Sequence, residues 1–119
     1  MENIAKKENL NKLSYCDLPI EALESMAKVF LDSKKSGKYS RDNHFKPIKN
    51  TDLIDAIFRH TIELIKGNDL DESGNSHYAH IISNASMCEY HLQKGTLIEN
   101  RCKKIQNEAN ESILESKKS

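Results

Sequence analysis

The sequence predicts an all-α fold, a compact antiparallel helical bundle of about four helices, and three observations carry that prediction. Apolar residues recur at the three-and-four spacing of amphipathic helices in four segments. Only two prolines and four glycines interrupt 119 residues. No stretch alternates apolar and polar residues as a half-buried strand does. A chain of this length makes one domain with a modest core, so a ligand site must come from that core or be shared between subunits.

The first helix is expected from about Pro19 to Ser33, with Asp17 upstream as a cap and Pro19 in the first turn, where a missing N–H costs nothing. Its apolar stripe is Ile20, Leu23, Met26/Ala27 and Phe30/Leu31. The stretch KKSGKYSRDNHFKPIKN reads as a polar loop ending ahead of Asn50 and Thr51, either of which can cap the second helix. That helix, about Asp52 to Lys66, places Leu53/Ile54, Ile57/Phe58, Thr61 and Leu64/Ile65 on its core face and stops at Gly67. The third begins at Ser76, a good N-cap, and runs to Gln93 ahead of Gly95. At 100° per residue Tyr78, Ile81, Ile82, Ala85, Cys88 and Leu92 form its core side, bordered by a polar stripe of His77, His80, Asn84 and His91. The last helix, about Leu97 to Leu114, has one thin seam of Ile98, Cys102, Ile105, Ala109 and Ile113, suited to one neighbour, either the same domain or another subunit.

Eighteen basic and eighteen acidic residues leave no formal charge. That excludes the broad positive surface that drives binding to a nucleic-acid polymer or an anionic membrane, so an anionic ligand must be recognised locally. With no apolar run like a signal peptide or membrane span, the protein is expected in the cytoplasm. Cys16, Cys88 and Cys102 are odd in number and unrelated in spacing, so reduced thiols are expected, with Cys88 packed on a helix face.

The densest run of binding groups is GNDLDESGNSHYAH, Gly67 to His80. Asp69, Asp71 and Glu72 can hold a cation or a ribose hydroxyl, or simply solvate a helix–helix turn. Ser73 and the amides around Gly74 lead into the positive end of a helix, where anions bind. His77 and His80, with Asn84, are either an incidental pair or two imidazoles presented to one cation or phosphate. On the preceding helix, Asp52, Asp55, Arg59 and Glu63 share a narrow arc. They read as a solvated face with an Asp55–Arg59 ion pair, or as carboxylates for a metal beside an arginine for phosphate, with His60 at the edge. In the basic loop, Lys38 and Arg41 with Tyr39 and Phe45 either solubilise or clamp a nucleotide, charges on phosphate and rings on base. No serine or cysteine sits in a nucleophile arrangement.

Taken together, LPIEALESMAKVFLDSKKSGKYSRDNHF and DLIDAIFRHTIELIKGNDLDESGNSHYAHIISNASM resemble the phage-associated family of dATP/dGTP diphosphohydrolase N-terminal domains. The resemblance covers about Leu18 to Met87 and rests on several spaced motifs in order. These are Pro19 with Glu21 to Leu23; Lys38, Tyr39 and Asn43; Ala56 with Arg59 and His60; then Gly67, Asp69, Asp71, Glu72, Ser73, Gly74, His77, His80 and Asn84. Ser40 and His44 stand where the family pattern has glycine and tryptophan. The resemblance implies cleavage of a deoxypurine triphosphate to monophosphate and pyrophosphate, as in all-α pyrophosphohydrolases of the MazG type. Those enzymes hold Mg²⁺ with ExxE and ExxD, because attack by water on a phosphoanhydride needs metal to offset charge. Here DxxD at Asp52/Asp55 and HxxH at His77/His80 take the comparable places, and histidine is a poor Mg²⁺ ligand.

Capture of a purine nucleotide or a nucleotide-derived immune signal by a homo-oligomer in a host cytosol is therefore the first expectation. Lys38, Tyr39, Arg41, Asn43, Arg59, His60, Asp69, Glu72, Ser73, Gly74, His77, His80 and Asn84 would bind that ligand. The second is the metal-dependent hydrolase, with Mg or Mn on Asp55, Glu63, Asp69, Asp71 or Glu72 and His60, His77 or His80 as general base. The third is a helical docking protein without a ligand. On this reading residues 1–16 are a flexible lead, 17–95 the nucleotide-binding-like domain, and 96–119 a C-terminal helix and tail for oligomer contact.

Overall fold

The computed structural model describes residues 3–8 and 11–102. Over these the chain forms a 3-10 turn (Tyr15–Asp17), α1 (Ile20–Lys35), α2 (Arg41–His44), β1 (Ile48–Lys49), α3 (Asn50–Ile65), α4 (His77–Lys94) and β2 (Leu97–Ile98). α4 is the helix against which both α3 and α1 pack. Among the described residues, no helix is long and apolar enough to cross a membrane.

The ends of α4 follow the sequence closely. Ser76 Oγ accepts from the Ala79 amide at 3.0 Å, and Gly95 closes the helix at φ 73°, a left-handed conformation that favours glycine. The start of α3 does not. Asn50 and Thr51 lie inside the helix, and Lys49, at the cap position, makes no side-chain cap bond. The cap comes from 49 residues away: Asn100 Oδ1 accepts from the Thr51 amide at 3.1 Å, while Asn100 Nδ2 donates to Thr51 Oγ1 at 2.6 Å. The parallel pairing of β1 with β2, Ile48 opposite Leu97 and Lys49 opposite Ile98, is what brings Asn100 there.

That pairing also corrects two expectations. Leu97–Ile98 is a strand and not the start of a helix, and no helix covers residues 99–102; the rest of that seam lies outside the described residues. The basic loop contains α2, begun by Ser40, whose Oγ accepts from the Asn43 amide at 3.2 Å. A serine fits where the family pattern has glycine because it caps this turn. Asp17 sits in the 3-10 turn, and Pro19 itself occupies the cap position of α1.

The largest departure concerns which faces are inside. On α4 the buried residues are His77, Ala79, Ser83, Met87 and His91, while Tyr78, Ile82, Ala85 and Leu92 are exposed. On α3, Leu53 is buried and Ile57, Thr61 and Leu64 are half-buried, but Ile54, Phe58 and Ile65 face out. On α1, burial centres on Val29, with Ala22, Met26, Phe30 and Ser33 half-buried, whereas Ile20, Leu23 and Leu31 are exposed. The expected polar stripe of α4 therefore points inward. Small residues Ala79 and Ser83 let neighbouring backbones approach, and the histidines that turn in are hydrogen-bonded, which removes most of the cost of burying them.

A candidate histidine-lined nucleotide cleft

Two cavities open on this inward side. One, of about 430 Å³, is bordered by Arg59, His60 and Glu63 of α3, Asp71 and Glu72 of the loop, and His77 and His80 of α4. The other, of about 250 Å³, lies against Phe30, Tyr39, Asn43, His44, Ser83, Asn84 and His91. Ser33, Lys38 and His80 line both, so the cavities meet at these residues. Joined, they fall in the range of roughly 300–1,000 Å³ usual for small-molecule sites.

The histidines form one cluster. His60 and His80 stack with centroids 4.3 Å apart and planes 4° from parallel. His60 Nδ1 lies 2.8 Å from His77 Nδ1, a contact that needs one nitrogen to carry hydrogen and the other to be bare. Burial, then the neighbouring His80 and His77, push the His60 imidazole below its ordinary value. His80 Nε2 lies 2.6 Å from Asp71 Oδ2. Burial pushes the Asp71 carboxyl up, but hydrogen bonds from Ser73, His80 and the amides of Ser73 and Asn75 outweigh it and hold the pKa at about 2. Asp71 is therefore ionised at neutral pH and can only accept, so His80 Nε2 donates.

Asp71 also occupies the anion position expected at Ser73 and Gly74. Its Oδ1 accepts from the Ser73 amide (2.9 Å), Ser73 Oγ (2.6 Å) and the Asn75 amide (3.1 Å). The donors that were to hold a ligand phosphate thus hold the chain's own carboxylate, and Gly74, at φ 87°, serves the tight turn. Buried Asn75 ties this loop to α1: Nδ2 donates to Asp32 Oδ2 and Ser73 Oγ, and Oδ1 accepts from Lys28 Nζ at 2.8 Å. Sequence reasoning missed Asn75, Lys28 and Asp32. A lone Asn beside Ser76 carried no periodic signal, and the Lys28–Asp32 spacing is that of any helix surface pair.

Other expected residues divide cleanly. Lys38 and Arg59 border the cavities and, among the described residues, have no carboxylate within ion-pair distance; the Asp55–Arg59 pair is not formed. Tyr39, Asn43 and Asn84 line the smaller cavity. Arg41 does not: its guanidinium lies 5.2 Å from the Phe45 ring, in a separate groove. Asp55 and Asp69 line neither cavity, and the Asp69 carbonyl accepts from the His77 amide. The Glu63 carboxyl is held below its ordinary value by the hydrogen bond from Asn68 and by Lys66. Among the described residues no three of His, Cys, Asp or Glu come together so as to hold a metal ion. Of the carboxylates expected to do so, Glu63, Asp71 and Glu72 border the larger cavity, with Asp71 already hydrogen-bonded within its loop, while Asp55 and Asp69 line neither cavity.

His44 stands in an aromatic box, 4.5 Å from Tyr39, 4.8 Å from Phe30 and 5.2 Å from Phe45 between centroids. Burial, with His91 nearby, pushes it down to about 4. A histidine whose folded pKa lies below its unfolded value of about 6.5 gives its full stability above pH 6.5 and loses it as pH falls towards 4. Asp71, also depressed, keeps its contribution until pH falls through about 4 towards 2. The melting temperature should therefore fall in two steps below pH 6.5. In His44→Phe the first step should shrink, leaving the smaller share due to His60; a circular-dichroism melt series checks both.

A histidine-lined polar cleft thus lies on one face of a small helical domain, with Lys38 and Arg59 at its rim. The chain belongs to the family described as dATP/dGTP diphosphohydrolase, N-terminal, whose family model matches residues 2–101. Searches of curated proteins and of solved structures find no match.

Proposed function

We propose that this domain captures a purine nucleotide, or a small molecule derived from one, in the joined cavities. The observation that carries the reading is the pair of cations Lys38 and Arg59, without an ion-pair partner among the described residues, lining one cleft with a cluster of three imidazoles. Phosphate would lie between Arg59, Lys38, His60 and His77, where planar guanidinium and imidazole N–H groups suit its oxygens. The base would enter the smaller cavity beside Tyr39, with Asn43 and Asn84 offering amide groups to its edge. Glu72, exposed at the rim, would take a ribose hydroxyl. Capture without turnover fits a phage protein that removes a nucleotide signal from its host's cytosol.

Hydrolysis to monophosphate and pyrophosphate is the second reading, favoured by the family's description and by the Asp71–His80 pair. A carboxylate that fixes one imidazole nitrogen as donor leaves the other to take a proton from water. No step is assigned to a metal.

The experiment mixes the protein with deoxynucleoside triphosphates, NAD-derived nucleotides and cyclic nucleotides, with and without Mg²⁺ or Mn²⁺. Melting temperature and ligand integrity are then followed together. A stabilising ligand recovered intact supports capture. The same ligand recovered as monophosphate and pyrophosphate restores the hydrolase, and no stabilisation by any of them removes both readings.

A further inference from the structure

Of the three clustered histidines, His80 alone lines both cavities. A line of hydrogen bonds reaches its ring from α1, and each bond in it can point only one way. Lys28 Nζ has only hydrogens to give and the Asp32 carboxylate only lone pairs, so Asn75 turns Oδ1 to Lys28 and Nδ2 to Asp32 Oδ2, each at 2.8 Å. The second hydrogen of Nδ2 goes to Ser73 Oγ at 2.9 Å, which leaves the Ser73 hydroxyl to donate to Asp71 Oδ1 at 2.6 Å. With the amides of Ser73 and Asn75, three donors hold Oδ1, and Oδ2 is left to face His80 Nε2.

Because Nε2 donates to Asp71, the neutral ring keeps its lone pair on Nδ1. Nδ1 makes no hydrogen bond among the described residues, and none of their sealed side-chain nitrogens or oxygens lacks a partner, so Nδ1 is open to a ligand. His60, stacked on the ring with planes 4° from parallel, restrains it from turning. Given nucleotide capture in the joined cavities, on which this inference rests, we propose that His80 Nδ1 accepts a hydrogen bond from a sugar hydroxyl of the ligand. Asp71, Ser73 and Asn75 are then positioning residues that keep Nδ1 free of hydrogen.

Position and chemistry agree in this. An ionised phosphate has no hydrogen for a bare nitrogen and is drawn to Arg59 and Lys38 in the larger cavity. With the base in the smaller cavity, the sugar falls where the two meet, beside His80. A hydroxyl there is a donor that a bare imidazole nitrogen can accept.

The test uses the full chain with dATP and its 2′,3′-dideoxy analogue, which lacks the 3′-hydroxyl. Nitrogen NMR of the free protein at about pH 8, above the ordinary imidazole range, should find hydrogen on His80 Nε2 and none on Nδ1. In Asp71→Asn the three donors keep the amide oxygen in place, so its NH₂ meets Nε2 and the hydrogen should move to Nδ1. By calorimetric titration dATP should bind the wild type roughly five- to tenfold more tightly than the analogue, the worth of one hydrogen bond. dATP should also shift the Nδ1 resonance as accepting a hydrogen does, and the analogue should not. His80→Phe should close the affinity gap; if it fails to fold, the wild-type Nδ1 shift decides. Hydrogen on Nδ1 in the wild type, or a ring unchanged in Asp71→Asn, overturns the positioning. Equal affinities, or a gap that survives in His80→Phe and so belongs to Glu72, overturn the hydroxyl contact while nucleotide capture stands. Binding of neither probe overturns both.

Discussion

Replacing Arg59 with alanine should lower nucleotide affinity roughly ten- to a hundredfold, a loss of about 1.5–3 kcal/mol for a hydrogen bond to a charged group. The melting temperature without ligand should hardly move. Arg59 is exposed and has no carboxylate within ion-pair distance among the described residues, so its removal breaks nothing in the fold, and such surface changes usually stay within about 0.5 kcal/mol. Arg59→Lys should recover only part of the loss, because an ammonium meets phosphate as a point charge and not as a planar fork. Calorimetric titration of the three proteins measures this. Equal affinities would put the phosphate away from α3.

The second large effect is on stability. His91 is 0% exposed, the largest side chain buried so completely. Its Nε2 lies 3.1 Å from the His44 carbonyl, which can only accept, so Nε2 donates; its Nδ1 pairs with Thr96 Oγ1 at 2.7 Å. One ring thereby joins α4, the turn into β2 and the end of α2. His91→Ala leaves two partly buried polar groups without this partner and a cavity, at a cost of about 2–4 kcal/mol. For a domain of this size that lowers the melting temperature by on the order of 10 °C. The readout is a denaturant titration, where a change under about 1 kcal/mol would mean that water replaces the ring without loss.

His91 also illustrates where the sequence misleads. The three long helices and the α4 ends were legible, the latter because Ser76 and Gly95 act through local backbone chemistry that three or four residues suffice to specify. The inside of the helices was not. Tyr78, Ile82 and Leu92 form a better apolar stripe than Ala79, Ser83 and Met87, yet the latter face inwards, because the partner of a stripe is not written in the stripe itself.

The candidate site was legible as residue types and only partly as roles. His60, His77 and His80 gather as their helical spacing allows, and Lys38, Tyr39, Asn43 and Asn84 converge on the adjoining cavity. Ser73 and the Asn75 amide, at the loop expected to receive an anion, are taken by the Asp71 carboxylate, and the Gly74 amide donates to the Asp71 carbonyl. Arg41 turns to Phe45 because α2, itself set by the Ser40 cap, points it away from the cleft. The cap on α3 from Asn100 could not be read at all, as it depends on a strand pairing of two residues on each side.

The most direct measurement of the central claim is a titration of the labelled protein with dATP and dGTP, following the ring protons of all five histidines by NMR. The account predicts that His60, His77 and His80 shift together and saturate at one ligand per chain, with His44 and His91, which border the smaller cavity where the base would enter, responding in the same titration. Binding that leaves the three cleft histidines unmoved, or no binding of either nucleotide, would contradict it.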